Sequence, residues 1–214
     1  MGRLLTALFA ASDEQLMWRA KLDDDASAFA RLVARWEKPI QRLCFRMTGD
    51  MHRAEDLTQT AFTRVFTRRA GWEPTGKFST FLWRVALNLC HDELRRQQRR
   101  GEFSLEALEE ADGAGESGFA TDEPAPDAQA EVQERGELVR RALAELSAHY
   151  REVVVLRHYE GLKFREIGDV LGIPEGTVKS RMAGALGQLN RLLKHVNEDG
   201  ICNRKNQIPE VQVL

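Results

Sequence analysis

The feature that most constrains this chain is an acidic segment that contains no basic residue. Residues 101–134 hold eleven Asp and Glu residues, four glycines and two prolines. Like charges repel along such a segment, and it has too little apolar surface to offset the entropy lost on ordering. We therefore predict a flexible linker, with a helical turn near residues 105–108. It divides the 214-residue chain into an N-terminal module of about 90 residues and a C-terminal module of about 65.

Both flanking segments are basic. Residues 12–100 carry a net charge of +5 and residues 135–198 a net charge of +3, although the whole chain has −2. Two basic segments favour a polyanionic partner. Charge alone is equally compatible with ordinary solvated surfaces.

Helical periodicity dominates both modules. The one β-branched run, at residues 153–155, lies inside a longer helical pattern. We predict an all-α protein of two small domains joined by the linker, with Ser147 as a helix N-cap. The expected helices are 13–21, 26–47, 53–70, 78–99, 131–146, 148–159, 163–171 and 174–195, with a loop at 71–76.

A helix-turn-helix is predicted at residues 163–195. Gly172 suits the left-handed residue that ends a helix, and Pro174 suits the first turn of the next. The first helix places Ile167, Val170 and Leu171 on one face. The second is expected to bury Val178, Met182, Leu186, Leu189 and Leu193. Its opposite face is polar or basic, as in a helix that enters a DNA major groove.

The C-terminal module resembles region 4 of bacterial sigma-70-family factors, above all the extracytoplasmic-function (ECF) group. The resemblance rests on the residues at 146–153, 156–157, 160–162 and 172–181. It implies binding to the −35 promoter element and to the β flap of RNA polymerase. The implied −35 contacts are Glu175, Thr177, Lys179, Ser180 and Arg181.

Two glycines depart from the pattern of that family. Gly168 stands where an alanine is usual, and Gly184 stands where many members have an arginine on the recognition helix. The second departure implies a weaker phosphate contact or a changed −35 preference.

A helix of the N-terminal module carries separate apolar and polar stripes. Leu57, Ala61 and Val65 form the apolar stripe, and Asp56 and Gln59 lie on another face. By itself the polar stripe reads as solvated surface. Residues 54–62 resemble ECF region 2.2, however, which docks on the clamp coiled coil of the polymerase β′ subunit. The polymerase contacts that this resemblance implies are Asp56, Gln59 and Phe62.

The next helix mixes aromatic and cationic residues. Rings stack on unpaired bases and cations follow phosphates, although Phe78, Phe81 and Trp83 also suit a core. Residues 77–96 resemble regions 2.3 and 2.4, which melt and read the −10 element. The resemblance implies a pocket for a flipped base at residues 72–79 plus Asn88. The implied −10 contacts are Lys77, Phe78, Ser79, Trp83, Arg84, Asn88, His91 and Arg95.

The domain boundaries follow from these two resemblances. We expect sigma region 2 at 12–100, the linker at 101–130, sigma region 4 at 131–196 and an unassigned tail at 197–214. The implied function is an ECF-type sigma factor that binds core RNA polymerase and promoter DNA, under the restraint of an anti-sigma factor.

Other classes of function find little support in the sequence. It contains no phosphate-binding glycine loop, zinc-protease motif or nucleophile elbow, so we predict no enzyme, no cofactor and no metal. Three features of the sequence favour the cytoplasm. The three cysteines are not closely paired, and no apolar run is long enough to span a membrane. The first eleven residues carry a single charge, at Arg3, and so resemble a signal peptide only weakly. Two alternatives stay open. One is a stand-alone helix-turn-helix regulator that binds duplex DNA as a dimer, and the other is a metal- or thiol-based redox sensor that uses Cys44, Cys90 and Cys202.

Overall fold

The computed structural model describes residues 11–101 and 126–205, and of residues 100, 126–135 and 195–205 it describes the backbone alone. Within these ranges the secondary structure is helical, without strands. The helical turn predicted near residues 105–108 lies outside the described residues, as do residues 206–214. No helix in the described part of the chain is both long and apolar enough to cross a membrane.

Among the described residues, four α-helices form the N-terminal module and four form the C-terminal module. The N-terminal helices are α1 (Asp13–Leu22), α2 (Ala26–Thr48), α3 (Met51–Thr67) and α4 (Phe78–Arg100), with a short 3₁₀ turn at Arg69–Gly71. The C-terminal helices are α5 (Pro126–Glu145), α6 (Ala148–Val154), α7 (Phe164–Leu171) and α8 (Glu175–Lys205). A π-helical segment, Val155–Tyr159, continues α6, so the single helix predicted at 148–159 changes its winding halfway.

Local capping explains where several helices begin. Ser12 and Gln15 form a reciprocal capping box at α1, and the side chains of Asp25 and Asp50 cap α2 and α3. Ser147 occupies the N-cap position of α6, as predicted, but its side chain makes no capping hydrogen bond. The N-cap residue of α4 makes no side-chain capping hydrogen bond. The Phe78 N–H at the start of this helix donates to the Glu14 carboxylate of α1 at 2.9 Å.

The helix-turn-helix corner forms as predicted. Gly172 has a φ of +68°, in the left-handed region where a side chain would be strained. Gly168 lies beside it, and a Cβ placed there would come within 2.8 Å of the Ile173 carbonyl oxygen. The absence of a side chain at Gly168 therefore lets the turn pass close to α7.

One position of α8 that was predicted to be buried is exposed. Leu186 is 48% exposed, whereas Ala185 is fully buried. A step of seven residues along an α-helix rotates the side-chain direction by about 700°, which is close to two full turns. A step of eight residues rotates it about 80° past two full turns. The buried face that begins at Val178 therefore returns at Ala185.

The two modules pack against each other in this structure. The core is continuous from the α2–α4 bundle to the helices of the C-terminal module. The buried Arg151 donates to the Met47 carbonyl at the end of α2. Arg46 lies 4.1 Å from the centre of the Tyr159 ring. The two modules therefore form a closed arrangement. In the same arrangement α4 lies against α7.

Candidate nucleic-acid interface

Three of the predicted −10 contacts on α4 line a cleft between the modules. Helical spacing places Arg84, Asn88 and His91 along one side of α4. The cleft has a volume of about 270 Å³, and His149 and Ile173 lie among the residues on its opposite wall. The structure therefore brings three of the predicted −10 contacts together.

Arg84 is bound to the C-terminal end of α7. Its Nε donates to the Val170 carbonyl at 3.1 Å, and Nη2 donates to the Asp169 carbonyl. The last carbonyls of a helix lack intrahelical partners and lie at the negative end of the helix dipole. The guanidinium is therefore a favourable cap for a helix of the other module.

Lys77 forms a second link between the modules. Its Nζ lies 2.7 Å from Oε1 of Glu166, at the start of α7. This hydrogen bond is the largest cause of the raised pKa of Lys77 and of the lowered pKa of Glu166. Both side chains stay partly exposed, so solvent screens the interaction.

Glu152 collects three basic groups around one buried carboxylate. Its side chain is 3% exposed, and Oε1 accepts from Nη1 of Arg181 at 2.9 Å. His91 Nε2 lies 2.7 Å from Oε2, and His149 Nδ1 lies 3.5 Å from Oε1. A predicted −10 contact and a predicted −35 contact thus meet at the same glutamate.

The remaining predicted −10 residues divide between core and surface. Phe78 and Trp83 are buried, and Trp83 packs edge-on against another tryptophan ring of the N-terminal module at 5.6 Å between ring centres. Ser79 is half-buried at the start of α4. Arg95 is exposed near the far end of α4 and pairs with Asp92 at 3.2 Å. Of the predicted −10 residues, the exposed ones are therefore three cations and Asn88.

The exposed face of α8 carries most of the predicted −35 contacts. Lys179 pairs with Glu175 at 2.7 Å across one helical turn. The Ser180 hydroxyl donates to the Thr177 carbonyl at 3.0 Å. Arg181 differs from these four residues, because its guanidinium turns inward to the buried carboxylate between the modules.

The predicted polymerase surface lies on α3. Asp56 and Gln59 are exposed there, on the side of the helix away from the core. Phe62 is 6% exposed and packs edge-on against Phe29 at 6.5 Å between ring centres. Of the three residues implied by the resemblance, two therefore present their side chains to a partner in this arrangement.

Gly184 has a packing role in this chain. A Cβ at this position would come within 2.9 Å of the Tyr150 hydroxyl and 3.0 Å of its ring. The missing side chain therefore admits the Tyr150 ring against α8. This contact gives a structural reason for glycine at one of the two positions where the sequence departs from the family.

Sequence reasoning missed the residues that hold the modules together. Glu152, Glu166 and His149 contact predicted DNA-binding side chains that lie far away in the chain, 89 positions away for Lys77 and Glu166. Arg151, which donates to several backbone carbonyls, was also missed. The charged pair Arg151–Glu152, just before the apolar run at 153–156, was the one available signal for these two residues, and none existed for Glu166 and His149.

Comparisons with known proteins agree with this two-module organisation. Sigma-70 region 2 matches residues 32–100, and sigma-70 region 4 matches residues 136–189. The ECF RNA polymerase sigma factor SigW of Bacillus subtilis is 34% identical over 176 residues, which are 79% of this chain and 91% of SigW. SigE of Mycolicibacterium smegmatis, another ECF sigma factor, is 34% identical over 194 residues, which are 90% of this chain and 69% of SigE.

Solved structures share the fold. CnrH, in complex with the cytosolic domain of CnrY, superposes with a TM-score of 0.63 at 23% identity, covering 86% of this chain and 99% of CnrH. The fold and the two matched regions define a sigma-70-type transcription initiation factor. The chain belongs to the ECF group of the sigma-70 family.

Proposed function

We propose that this chain is a sigma factor that recruits core RNA polymerase to promoters through two separate DNA-reading surfaces. The observation that carries the proposal is the presence of both sigma regions in one chain, in the family's order. The chain supplies binding free energy for promoter opening and catalyses no reaction itself. It acts in the cytoplasm, where the polymerase works.

The two surfaces divide the promoter between them. The α4 stripe of Arg84, Asn88 and His91 takes the −10 element, with Lys77 at its start. The exposed face of α8, with Lys179, takes the −35 element. Cations at both surfaces suit phosphate contacts, and a polar side chain such as Asn88 suits a base edge.

The closed arrangement must open before the −10 surface can act. Arg84 and Lys77 are bound to α7, and His91 lies against Glu152. DNA phosphates would have to replace these partners. We therefore propose that binding to core polymerase separates the modules and releases the α4 stripe.

An anti-sigma factor is the partner we propose for the inactive state. A second similar structure is the sigma factor RpoE with the anti-sigma factor NepR from Bartonella quintana, with a TM-score of 0.56 at 22% identity, covering 78% of this chain and 96% of that one. A protein that stabilised the closed arrangement would keep Arg84 and Lys77 engaged, and so would prevent promoter binding.

Asp56→Arg tests the proposed polymerase surface. The substitution reverses an exposed charge on α3 without touching the core. We expect affinity for core polymerase to fall at least about tenfold, because a complementary charge becomes a repulsive one. The measurement is run-off transcription and co-purification with core polymerase.

Glu37→Arg is the matched control, since it makes the same kind of charge reversal at an exposed position of α2. Equal losses in the two variants would contradict the role of α3. Failure of the unmodified chain to direct specific initiation would contradict the proposed function itself.

A further inference from the structure

The strongest unassigned feature is a cluster of three metal-ligating side chains between the modules. His91 comes from α4, and His149 and Glu152 come from α6. One potential ligand atom from each lies within 4.8 Å of the others. The spacing of His149 and Glu152 by three residues places both on the same face of α6.

The contact between His91 and Glu152 brings two potential ligand atoms close enough to share one ion. Nε2 of His91 is buried and makes no hydrogen bond, although Oε2 of Glu152 is 2.7 Å away. The ring nitrogen therefore does not point directly at this oxygen. Ligands of one metal show this relation, because each lone pair points at the ion. With tetrahedral metal–ligand bonds of about 2.0 Å, such atoms lie about 3.3 Å apart, so the 2.7 Å separation has to widen by about 0.6 Å to admit an ion.

The donor set selects a class of metal. Two imidazole nitrogens and one carboxylate oxygen suit zinc and neighbouring divalent transition metals, and three protein ligands leave one position open to water. Calcium and magnesium prefer oxygen ligands throughout. Arg181 remains hydrogen-bonded to Oε1 of the glutamate, which leaves Oε2 for an ion. Its positive charge opposes a dication, so we expect weaker binding than at an all-cysteine structural zinc site.

We propose that His91, His149 and Glu152 form a binding site for a divalent transition-metal ion of the zinc class, which holds the two modules closed. The ion would join α4 to α6 through ligands from both modules. Metal at about 100 times its dissociation constant would favour the closed state by a further factor of about 100. The effect on closure rests on the proposed function, whereas metal binding does not.

Titration of the purified full-length chain with zinc chloride tests the site, with cobalt(II) absorption as the spectroscopic probe. We expect one zinc ion per chain. His149→Ala should weaken binding at least about tenfold, because it removes one of three ligands. His149 is 64% exposed, so circular dichroism should show an unchanged fold. His158→Ala, at another exposed histidine of the same module, is the control and should bind like the unmodified chain.

Run-off transcription tests the closure. Zinc should suppress initiation by the unmodified chain and by His158→Ala, but not by His149→Ala. Equal zinc affinity in His149→Ala and the unmodified chain would overturn the site. Zinc binding at the site without any effect on initiation would overturn the proposal that the ion holds the modules closed. Zinc binding that is lost in His149→Ala, in a chain that initiates nothing with or without metal, would support the site and overturn the proposed function.

Discussion

Replacing Arg151 with methionine should strongly destabilise the C-terminal module. The Arg151 guanidinium is buried and donates to four backbone carbonyls, those of Met47, Leu143, Ala144 and Leu146. Burial lowers the pKa of Arg151, and a nearby carboxylate acts in the opposite direction. Arginine satisfies all four acceptors because its planar group carries five N–H donors.

The expected loss follows from these four acceptors. A buried carbonyl left without a donor costs about 1–3 kcal/mol, and relaxation and entering water reduce the sum. We expect Arg151→Met to lower the free energy of unfolding by about 4 kcal/mol. Methionine keeps most of the stem volume, so the change isolates the hydrogen bonds from the packing. Lysine at this position should recover about half of the loss, since one ammonium reaches fewer of the carbonyls.

Two optical signals, followed during urea unfolding, report on different parts of the protein. All four tryptophans lie in the N-terminal module, so their fluorescence reports on that module, whereas circular dichroism reports on both. Arg151→Met should lower the midpoint of the dichroism signal more than that of the fluorescence. Arg157→Met is the control, because Arg157 is exposed and its hydrogen bond to the Leu162 carbonyl, at 3.0 Å, lies at the surface. Equal losses of about 1 kcal/mol in both variants would refute the reasoning.

The remaining predictions concern the helix-turn-helix corner and the link between modules. Gly168→Ala should destabilise the protein by about 1–2 kcal/mol, despite the better helix propensity of alanine, because its Cβ would meet the Ile173 carbonyl. Gly187→Ala, which meets nothing within 4 Å, should be stabilising, and thermal unfolding compares the two. The lowered pKa of Glu166 means that its contribution is present above the ordinary glutamate value of 4.5 and is lost as pH falls through the folded value. We therefore expect small-angle X-ray scattering to show a larger radius of gyration at acidic pH, with a smaller increase in Glu166→Gln. Identical pH profiles for the two proteins would contradict the role of the bond between Glu166 and Lys77.

Local signals explain why the helices could be predicted from the sequence. Six of the predicted helices lie within about three residues of the observed ones, and the corner at Gly172 was predicted correctly. Two bounds were wrong: α5 begins at Pro126, inside the predicted linker, and α8 continues to Lys205, beyond the predicted end at 195. Helical periodicity and glycine–proline punctuation act within a few residues, so the sequence carries them directly. The family could be recognised because its contact residues lie in short runs.

The sequence could not show which side chains of a stripe are buried. Phe78 and Trp83 suited either a core or a DNA-stacking role by residue type alone, and the structure places both in the core. Leu186 was expected to be buried and is exposed, because a small shift in helix phase moves one position between the two faces. Burial depends on which helix packs against which face.

The sequence alone determined two helical modules, their order and the polar stripes that each presents. Tertiary structure alone decided that the stripes meet: it brings His91 to Glu152 and Lys77 to Glu166 across the space between modules. Periodicity defines a face of a helix, but the partner of that face comes from distant parts of the chain. The closed arrangement, and the cluster of His91, His149 and Glu152 within it, exist because the packing of the two modules sets that distance.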